Sequence, residues 1–274
     1  MLDVDPVRLG LSLALSVLIG GLGYWRGSLA GSGWLGAIFI GTATAGFGGW
    51  DWGLLVVVFF VTSSALSHWR RETKVRAAEG KTAKGERRDL AQTLANGGLA
   101  ATLALVYAFD PEPALFVLAL GALATVTADT WATELGSLSR SAPRLVTTGR
   151  VVDPGTSGGV TFLGLAASAA GALAIGLAAV GFQWLIGYKT SGMLVVAALG
   201  GGLAGALVDS ILGATVQALY RCSACGTETE QIIHNCGRQT EHLRGWTWLD
   251  NDRVNFASSV VGATICLVVW TAMR

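Results

Sequence analysis

The feature that most constrains this chain is a series of apolar runs, each long enough to cross a lipid bilayer as a helix. A spanning helix needs about 20 predominantly apolar residues. Only 14% of the 274 residues are charged, against about 25% in an average soluble domain. We therefore expect an all-α, polytopic membrane bundle of about eight helices (range six to eight), built as a single transmembrane domain over residues 1–274. The predicted spans are residues 9–25, 33–49, 52–69, 90–109, 113–135, 154–188, 190–220 and 254–273.

The run over residues 154–188 is too long for one span. It begins with the sequence PGTSGG, so we expect a loop or re-entrant start followed by one long helix. The second span is the least regular, because glycine is dense there. Glycine-rich apolar helices pack closely against one another in membranes.

Two of the predicted spans carry a carboxylate. Asp129 lies near the end of the fifth span and Asp209 lies within the seventh, and Glu134 follows Asp129 by five residues. An ionisable group inside a membrane is expensive and marks a functional site by default. Residues 121–130 and 201–210 also align, with Gly, Leu, Ala and Asp at matching positions. This match predicts a parallel internal repeat in which each half contributes one carboxylate.

The distribution of Lys and Arg predicts the orientation in the membrane. With eight spans, 16 of the 19 basic residues fall on one side. The positive-inside rule makes that side cytoplasmic, with both termini outside. The cytoplasmic loops would be residues 69–89, 136–153 and 220–253. Asp129 and Asp209 would then lie towards the cytoplasmic ends of their helices, beside these loops.

The cytoplasmic face collects residues that suit phosphate chemistry. Clustered carboxylates suit Mg²⁺, which prefers oxygen ligands, and we expect Asp129, Asp209, Asp250 and Asp252 to bind it. Asp129, Glu134, Asp209 and Asp252 are the predicted catalytic carboxylates. Basic and amide side chains suit phosphate oxygens, and a Gly- and hydroxyl-rich turn that opens a helix can offer backbone N–H groups to an anion. The predicted phosphate-binding residues are Lys84, Arg88, Asn96, Arg150, Gly155, Thr156, Ser157, Gly158, Asn251, Arg253 and Asn255.

Each of these features has a simpler interpretation. Asp129 and Asp209 also suit a proton or cation pathway, so an ion-coupled transporter is the competing class. The basic residues of the 69–89 loop are explained in large part by the positive-inside rule. A transporter needs polar groups through the whole membrane, whereas the outer halves of these spans are almost entirely apolar. That asymmetry favours an enzyme.

A Cys/His pattern in the last predicted loop indicates a separate metal site. Cys222, Cys225, His234 and Cys236 have spacings that can form a tetrahedral Zn²⁺ site. Unligated thiols are the alternative, and disulfides are not expected on a cytoplasmic side. Cys266 lies in an apolar span and is expected to be a small core residue.

Four motifs in order resemble the integral membrane family that contains phytyl-phosphate kinase: ADTWATELG (128–136), PRLVTTGRVVDPGTSGGV (143–160), LVDSILGATVQ (207–217) and LDNDRVNFASS (249–259). The family is more distantly similar to dolichol kinases and CDP-diacylglycerol synthases. The resemblance implies transfer of a phosphoryl group from a nucleoside triphosphate to an isoprenoid monophosphate.

The same resemblance implies Mg²⁺ as cofactor and favours CTP as donor. The implied partners are the isoprenoid lipid phosphate, the nucleotide and the bilayer, with no nucleic acid, and homo-oligomerisation stays open. A CTP-dependent lipid-phosphate cytidylyltransferase is the alternative enzyme.

Overall fold

The computed structural model describes residues 5–70, 73, 87–188 and 190–274. Lys84 and most of the predicted 69–89 loop therefore lie outside the described residues. Within those ranges the chain forms eight α-helices, as predicted, and seven of them are long and apolar enough to cross a membrane. The helices are α1 (Pro6–Trp25), α2 (Gly31–Ala43), α3 (Trp50–His68), α4 (Leu90–Tyr107), α5 (Pro113–Gly136), α6 (Phe162–Leu185), α7 (Met193–Thr215) and α8 (Asn251–Ala272).

The shortest of these helices is α2, the second predicted span. It has 13 residues and continues into a π-helical turn, Thr44–Gly48. Glycines at 33 and 36 let α2 approach the start of α4, because a Cβ on Gly33 would collide with the backbone oxygen of Arg88. The dense glycine that made this span irregular in sequence thus serves close helix contact.

Side-chain caps explain where several helices begin. Asp5 accepts a hydrogen bond from the Val7 backbone N–H and starts α1 three residues before the predicted span. Asp89 and Gln92 form a reciprocal capping box that starts α4. Asp250 caps α8, so that this helix begins at Asn251 rather than at the predicted residue 254. Apolar runs predict that these helices start later than they do, because the capping residue and the first turn of a helix are polar.

The helix ends define two faces of the bundle. We call the site face the one formed by the ends of α1, α3, α5 and α7 and the starts of α2, α4, α6 and α8; the opposite one is the far face. On the site face the His68 ring lies 3.1 Å from the Arg26 carbonyl oxygen, which joins the ends of α3 and α1. The Ala218 N–H likewise donates to Leu249 O at 2.9 Å, just beyond α7 and before α8. The predicted 136–153 and 220–253 loops therefore share the site face.

The centre of the bundle is a glycine layer, which we define as Gly121, Gly201, Gly205 and Gly262. These residues join α5, α7 and α8. A Cβ on Gly201 would lie 2.5 Å from the Gly262 carbonyl oxygen and 2.7 Å from Cys266 Cβ. Thr125 fills the same layer, and its hydroxyl lies 2.9 Å from Gly121 O and 3.4 Å from Gly201 O. Backbones can approach this closely because no side chain separates them.

Helices α5 and α7 run parallel, and their matched segments lie at the same level. Gly121 and Gly201 both contact Cys266, while Gly205 contacts Thr125 one turn further on. The two aligned sequences thus meet side by side with their offset of 80 positions preserved. The alignment predicted this relation of the two carboxylate helices correctly.

Short strands cover the site face. β1 (Arg144–Leu145) pairs with β2 (Gly159–Val160). β3 (Leu219–Cys222), β4 (Glu228–Thr229) and β5 (Thr240–Arg244) form an antiparallel sheet in the order β4-β3-β5. The second sheet lies within the predicted 220–253 loop, between α7 and α8.

The glycine layer makes a prediction for stability. We expect Gly201→Ala to lower the free energy of unfolding by about 1–3 kcal/mol, because overpacking forces backbone shifts. Gly10→Ala is the matched control, since a Cβ there meets nothing within 4 Å. Thermal unfolding of both variants in detergent measures the difference. Equal melting temperatures for Gly201→Ala and wild type would contradict the packing described here.

Orientation can be tested with introduced cysteines. Ser141 is exposed on the site face, and Glu112 is exposed in the link between α4 and α5 on the far face. If the site face is cytoplasmic, a membrane-impermeant maleimide labels Glu112→Cys in intact cells. Ser141→Cys becomes labelled only after permeabilisation, and the wild-type chain, whose exposed Cys225 and Cys236 lie on the site face, is not labelled in intact cells. Labelling of Ser141→Cys from outside would reverse the orientation.

Candidate functional site

Asp129 and Asp209 form the centre of the candidate site. Each lies one helical turn beyond the glycine layer, because Asp129 follows Thr125 and Asp209 follows Gly205 by four residues. The two side chains are close enough that the Asp129 charge acts on Asp209. Both residues are partly buried, and two ionised carboxylates in such a site repel each other unless a cation or a shared proton lies with them.

Helix α8 supplies the polar partner of this pair. Ser258 Oγ lies 3.1 Å from Asp209 Oδ2 and 2.9 Å from the Asn255 carbonyl oxygen. In the part of the chain that the structure describes, no donor lies within hydrogen-bonding distance of the Asp129 carboxylate. The one hydroxyl near the pair therefore contacts Asp209 alone. All the polar side-chain atoms at this site are oxygens, and few hydrogen-bond donors balance their negative charge. Such a site fits a hard cation such as Mg²⁺.

Some of the predicted amide and acidic residues of α8 face the interior of the bundle, and others lie on its surface. Asn251, Asn255 and Ser258 share one helical face by their spacing, and Asp252 is 9% exposed in the first turn. Asp250, by contrast, caps the helix, and its Oδ2 lies 2.9 Å from Arg253 Nη1. Both partners of that ion pair are more than half exposed.

Glu134 does not join Asp129, although both lie on α5. Five residues advance a helix by about 7.5 Å and turn it by about 140°, so that the two side chains point to different neighbours. Ser67 Oγ lies 2.5 Å from Glu134 Oε1, and Arg88 lies near enough for the charge of Glu134 to act on it. Glu134 thus belongs to a second cluster, at the ends of α3 and α5.

Arg88 is the basic residue most firmly held in that second cluster. Its backbone bridges to Ser28 and Ala30, and its Nη1 lies 3.3 Å from Ser64 Oγ. Burial lowers the pKa of the Arg88 guanidinium from its usual value, and the Glu134 charge opposes that shift. A partly buried guanidinium that is already held in one position can bind an anion with little further loss of side-chain entropy.

The glycine-rich turn at residues 155–158 is held against the end of α7. Ser157 Oγ donates to Gln217 Oε1 at 3.2 Å, and a Cβ on Gly158 would lie 2.5 Å from Ala214 Cβ. Gly155 and Gly158 both have positive φ, which permits the tight turn. Thr156 lies between Gly155 and Ser157, and its N–H donates to Asp153 O at 3.2 Å.

The expectation that this turn opens a helix is wrong. Strand β2 intervenes, and the N-cap of α6 is Thr161, whose side chain accepts from the Gly164 N–H. The dipole of α6 therefore does not act at residues 155–158, because that effect is confined to the first turn of the helix. The expected loop before one long helix is present, with the helix starting later than the turn.

Other predicted residues lie apart from the carboxylate pair. Arg150 is exposed on the β1–β2 connection, where its backbone oxygen accepts from the Leu145 N–H. Asn96 is half-buried on α4 and faces a cavity. Three polar residues at the site were not identified from sequence: Ser67, Gln217 and Ser258. Ser258 follows Asn251 by seven residues, a helical spacing that places it on the same face.

An apolar cavity of about 280 Å³ lies among α1, α2, α3 and α4. Arg88 and Asn96 line it near the site face, and Trp50 and Phe182 line it near the far face. Its walls between these ends include Ile19, Ala37, Ile40, Val57 and Phe60. The space therefore runs along the bundle with a cation near one end.

The Cys/His residues converge, as their spacing predicts. The candidate ligand atoms of Cys222, Cys225, His234 and Cys236 all lie within 4.8 Å of one another. Cys266 is buried in α8, away from this cluster and in contact with the glycine layer, in agreement with its expected core role.

Comparisons with known proteins agree with the resemblance read from the motifs. A family model described as integral membrane protein DUF92 matches residues 14–263. The chain is 35% identical over 274 aligned residues to Protein PGR of Arabidopsis thaliana, covering 92% of each protein. It is 29% identical to an uncharacterized membrane protein of Methanocaldococcus jannaschii, covering 89% of this chain and 87% of the relative.

A third relative is an uncharacterized membrane protein of Synechocystis, 30% identical over 80% of this chain and 74% of its own length. No solved structure matches the chain. The family match spans six of the eight helices in full, α2 to α7, with most of α1 and α8 and nearly all of the described site. This chain therefore belongs to the DUF92 family of integral membrane proteins.

Proposed function

We propose that this chain is a membrane-embedded, Mg²⁺-dependent kinase that converts an isoprenoid monophosphate to the diphosphate. The observation that carries the proposal is the pair of neighbouring, partly buried carboxylates, Asp129 and Asp209, at one end of a bundle with a long apolar cavity. An acceptor phosphate oxygen forms a bond to the terminal phosphorus of a nucleoside triphosphate, and the nucleoside diphosphate leaves. The family resemblance favours CTP as donor and a phytyl-like chain on the acceptor.

Asp129 and Asp209 would hold Mg²⁺, with Ser258 orienting the Asp209 carboxylate. When bound, Mg²⁺ supplies neutralisation of phosphate charge. Asp252 and Asn255, the carboxylate and amide that precede Ser258 on α8 by six and three residues, complete the proposed set. Asp250 is a weaker candidate than the sequence indicated, because it already caps α8 and pairs with Arg253.

The acceptor would bind with its phosphate at Arg88 and its chain in the apolar cavity. Arg88 is held in place by its backbone bridge and by Ser64. The cavity extends from Arg88 towards Trp50, and an isoprenoid chain needs an apolar space of this kind. The glycines at 164, 171 and 176, by contrast, pack against neighbouring helices, so that the tail is proposed among α1–α4 and not along α6.

The acceptor needs no strong general base, because its attacking oxygen is already anionic. The main task is to bring two highly charged phosphates together and orient them. Basic groups and carboxylates that are fixed in position stabilise these charges better than mobile ones, because they need no reorganisation when the phosphoryl group is transferred. The proposal therefore assigns Asp129 and Asp209 to metal binding and gives neither a proton-transfer role.

A transporter fits this arrangement less well. Between the carboxylate pair and the far face, α5 presents Val117, Leu120 and Leu123, each no more than 1% exposed. The glycine layer also blocks a path between α5, α7 and α8, because the helix backbones are in direct contact there. An ion leaving Asp129 and Asp209 towards the far face meets packed apolar side chains.

We expect Asp129→Asn and Asp209→Asn each to lower turnover by at least about 100-fold, because the change removes charge stabilisation that nothing nearby replaces. Folding survives, since a neutral amide is less expensive to bury than a charge. The measurement is transfer of label from γ-labelled triphosphate to phytyl phosphate at saturating Mg²⁺.

The matched control is Asp51→Asn. Asp51 is a partly buried carboxylate at the far-face end of α3, where its Oδ2 lies 3.3 Å from Gln183 Nε2. The Asp51→Asn variant should keep turnover within a few-fold of wild type. If the Asp129 and Asp209 variants fold and match that control, the carboxylate pair is not the metal site and the mechanism is wrong.

The position of the label separates the two enzyme alternatives. A kinase transfers the γ-phosphoryl group, so that γ-labelled CTP labels the lipid and α-labelled CTP does not. A cytidylyltransferase gives the reverse result, with release of pyrophosphate. Labelled lipid from the α-position would replace the kinase proposal by the cytidylyltransferase alternative.

Filling the cavity should discriminate against long acceptors. Ala37→Phe places a ring in the cavity. Accommodating a long chain beside that ring should cost about 1–3 kcal/mol, the usual penalty of overpacking, and so lower kcat/KM for phytyl phosphate by about tenfold. A short prenyl monophosphate such as dimethylallyl phosphate should lose much less. Leu35→Phe is the control, because Leu35 lies on the same helix and is 66% exposed. An equal loss for both acceptors would exclude this cavity as the tail site.

A further inference from the structure

A cluster of candidate metal ligands lies outside the bundle, and nothing in the proposed kinase reaction uses it. We propose that Cys222, Cys225, His234 and Cys236 bind one Zn²⁺ that holds the β3–β5 sheet in place. We call residues 219–244 the Cys/His module. The inference does not depend on the proposed function, since it rests on the geometry and the size of this module alone.

The distances between ligand atoms match a tetrahedral zinc site. Zn–S bonds of about 2.3 Å and Zn–N bonds of about 2.0–2.1 Å give edges of about 3.8 Å between sulfurs and about 3.5 Å between sulfur and nitrogen. Cys222 Sγ lies 3.5 Å from Cys236 Sγ, and Cys225 Sγ lies 3.5 Å from His234 Nδ1. His234 Nδ1 lies 3.2 Å from Cys236 Sγ.

The backbone supplies these ligands from two tight turns. In the first, the Gly226 N–H donates to Cys222 O at 2.9 Å, and Gly226 has φ of 71°. In the second, the Gly237 N–H donates to His234 O at 2.8 Å, and Gly237 has φ of 78°. In each turn a glycine in the left-handed region directly follows a cysteine ligand. The first turn closes over four residues and the second over three, and together they bring the four side chains to one point.

The module is too small to be ordered by apolar burial. Across residues 219–244, all of which the structure describes, only Leu219, Cys222 and Thr229 are buried. Ile232 and Ile233 are more than 60% exposed. Segments below about 40 residues need a metal, a disulfide or association to hold a fold. A structural zinc supplies that free energy directly, because the site exists only in the folded chain.

A disulfide explains the cluster less well. The 3.5 Å between Cys222 Sγ and Cys236 Sγ is well beyond a bonded distance of about 2.05 Å. A disulfide would also leave Cys225 and His234 without a reason to face the same point. The histidine in particular favours a metal, since it has no role in a disulfide.

The module is anchored to the site face on both sides. The Trp246 N–H donates to Val216 O at 2.8 Å, and Arg244 donates to Gly213 O at 3.1 Å and to Thr215 O at 3.2 Å. Gln217 Nε2 donates to Glu230 Oε1 at 2.7 Å, while its Oε1 accepts from Ser157. An ordered module therefore keeps the 155–158 turn against the end of α7.

The first experiment measures metal in the purified full-length chain, expressed with zinc in the medium. We expect about one zinc per chain in wild type and in Cys266→Ala, the cysteine control outside the cluster. Cys225→Ser and Cys236→Ser should lose the zinc. Wild type without zinc above the buffer level, iron in its place, or equal loss of zinc in Cys266→Ala would overturn the proposal.

A second measurement needs no variant and so does not depend on how well the variants fold. Replacement of zinc by Co²⁺ should give the visible d–d and thiolate charge-transfer bands of a tetrahedral site. The thiols of Cys222, Cys225 and Cys236 should resist alkylation until a chelator is added. The same chelation should increase proteolytic cleavage within residues 219–244. A Cys222–Cys236 disulfide in the mass spectrum, or alkylation that a chelator does not change, would refute the site.

Discussion

The contact of α5, α7 and α8 through the glycine layer is the interaction on which the rest of this structure depends. In a bilayer the lipid is as apolar as the helix surface, so helices associate through close packing and hydrogen bonds rather than through hydrophobic burial. Gly201 meets the backbone of Gly262 directly, and Thr125 fills the remaining space with its hydroxyl. This layer fixes the rotation of three helices at once. Asp129, Asp209 and Ser258 lie one turn away, so their convergence follows from the same contact.

The two halves of the bundle differ in how tightly their helices pack. Helices α5–α8 are packed through small residues, and they hold charged groups where solvent access is limited. Helices α1–α4 are looser and enclose the apolar cavity, with Arg88 near one end. A lipid with a charged head needs both kinds of environment next to each other. Arg88 and Glu134 lie where the halves meet, because the Glu134 charge at the end of α5 acts on Arg88 just before α4.

Rotation about the helix axis explains why neighbouring acidic residues have different roles. Asp129 lies near Asp209 on α7, while Glu134 faces Ser67 on α3. On α8, Asp250 and Asp252 are two residues apart, and the first caps the helix while the second is buried. A count of carboxylates in the sequence treats these groups alike. Their depth and direction separate them into metal-site candidates, a partner for Arg88 and a helix cap.

The sequence alone determined the eight helices, the parallel relation of residues 121–130 and 201–210, and the convergence of the four Cys/His residues. These features depend on local composition and spacing: apolar length sets the spans, a shared pattern sets the shared level, and short ligand spacings restrict where side chains can meet. Tertiary structure decided which polar groups pair across helices. The Ser258–Asp209 contact, the Asp250–Arg253 pair, the late start of α6 and the position of the cavity all depend on helix rotation. Backbone contacts between distant glycines set that rotation, and no local pattern specifies which glycines will meet.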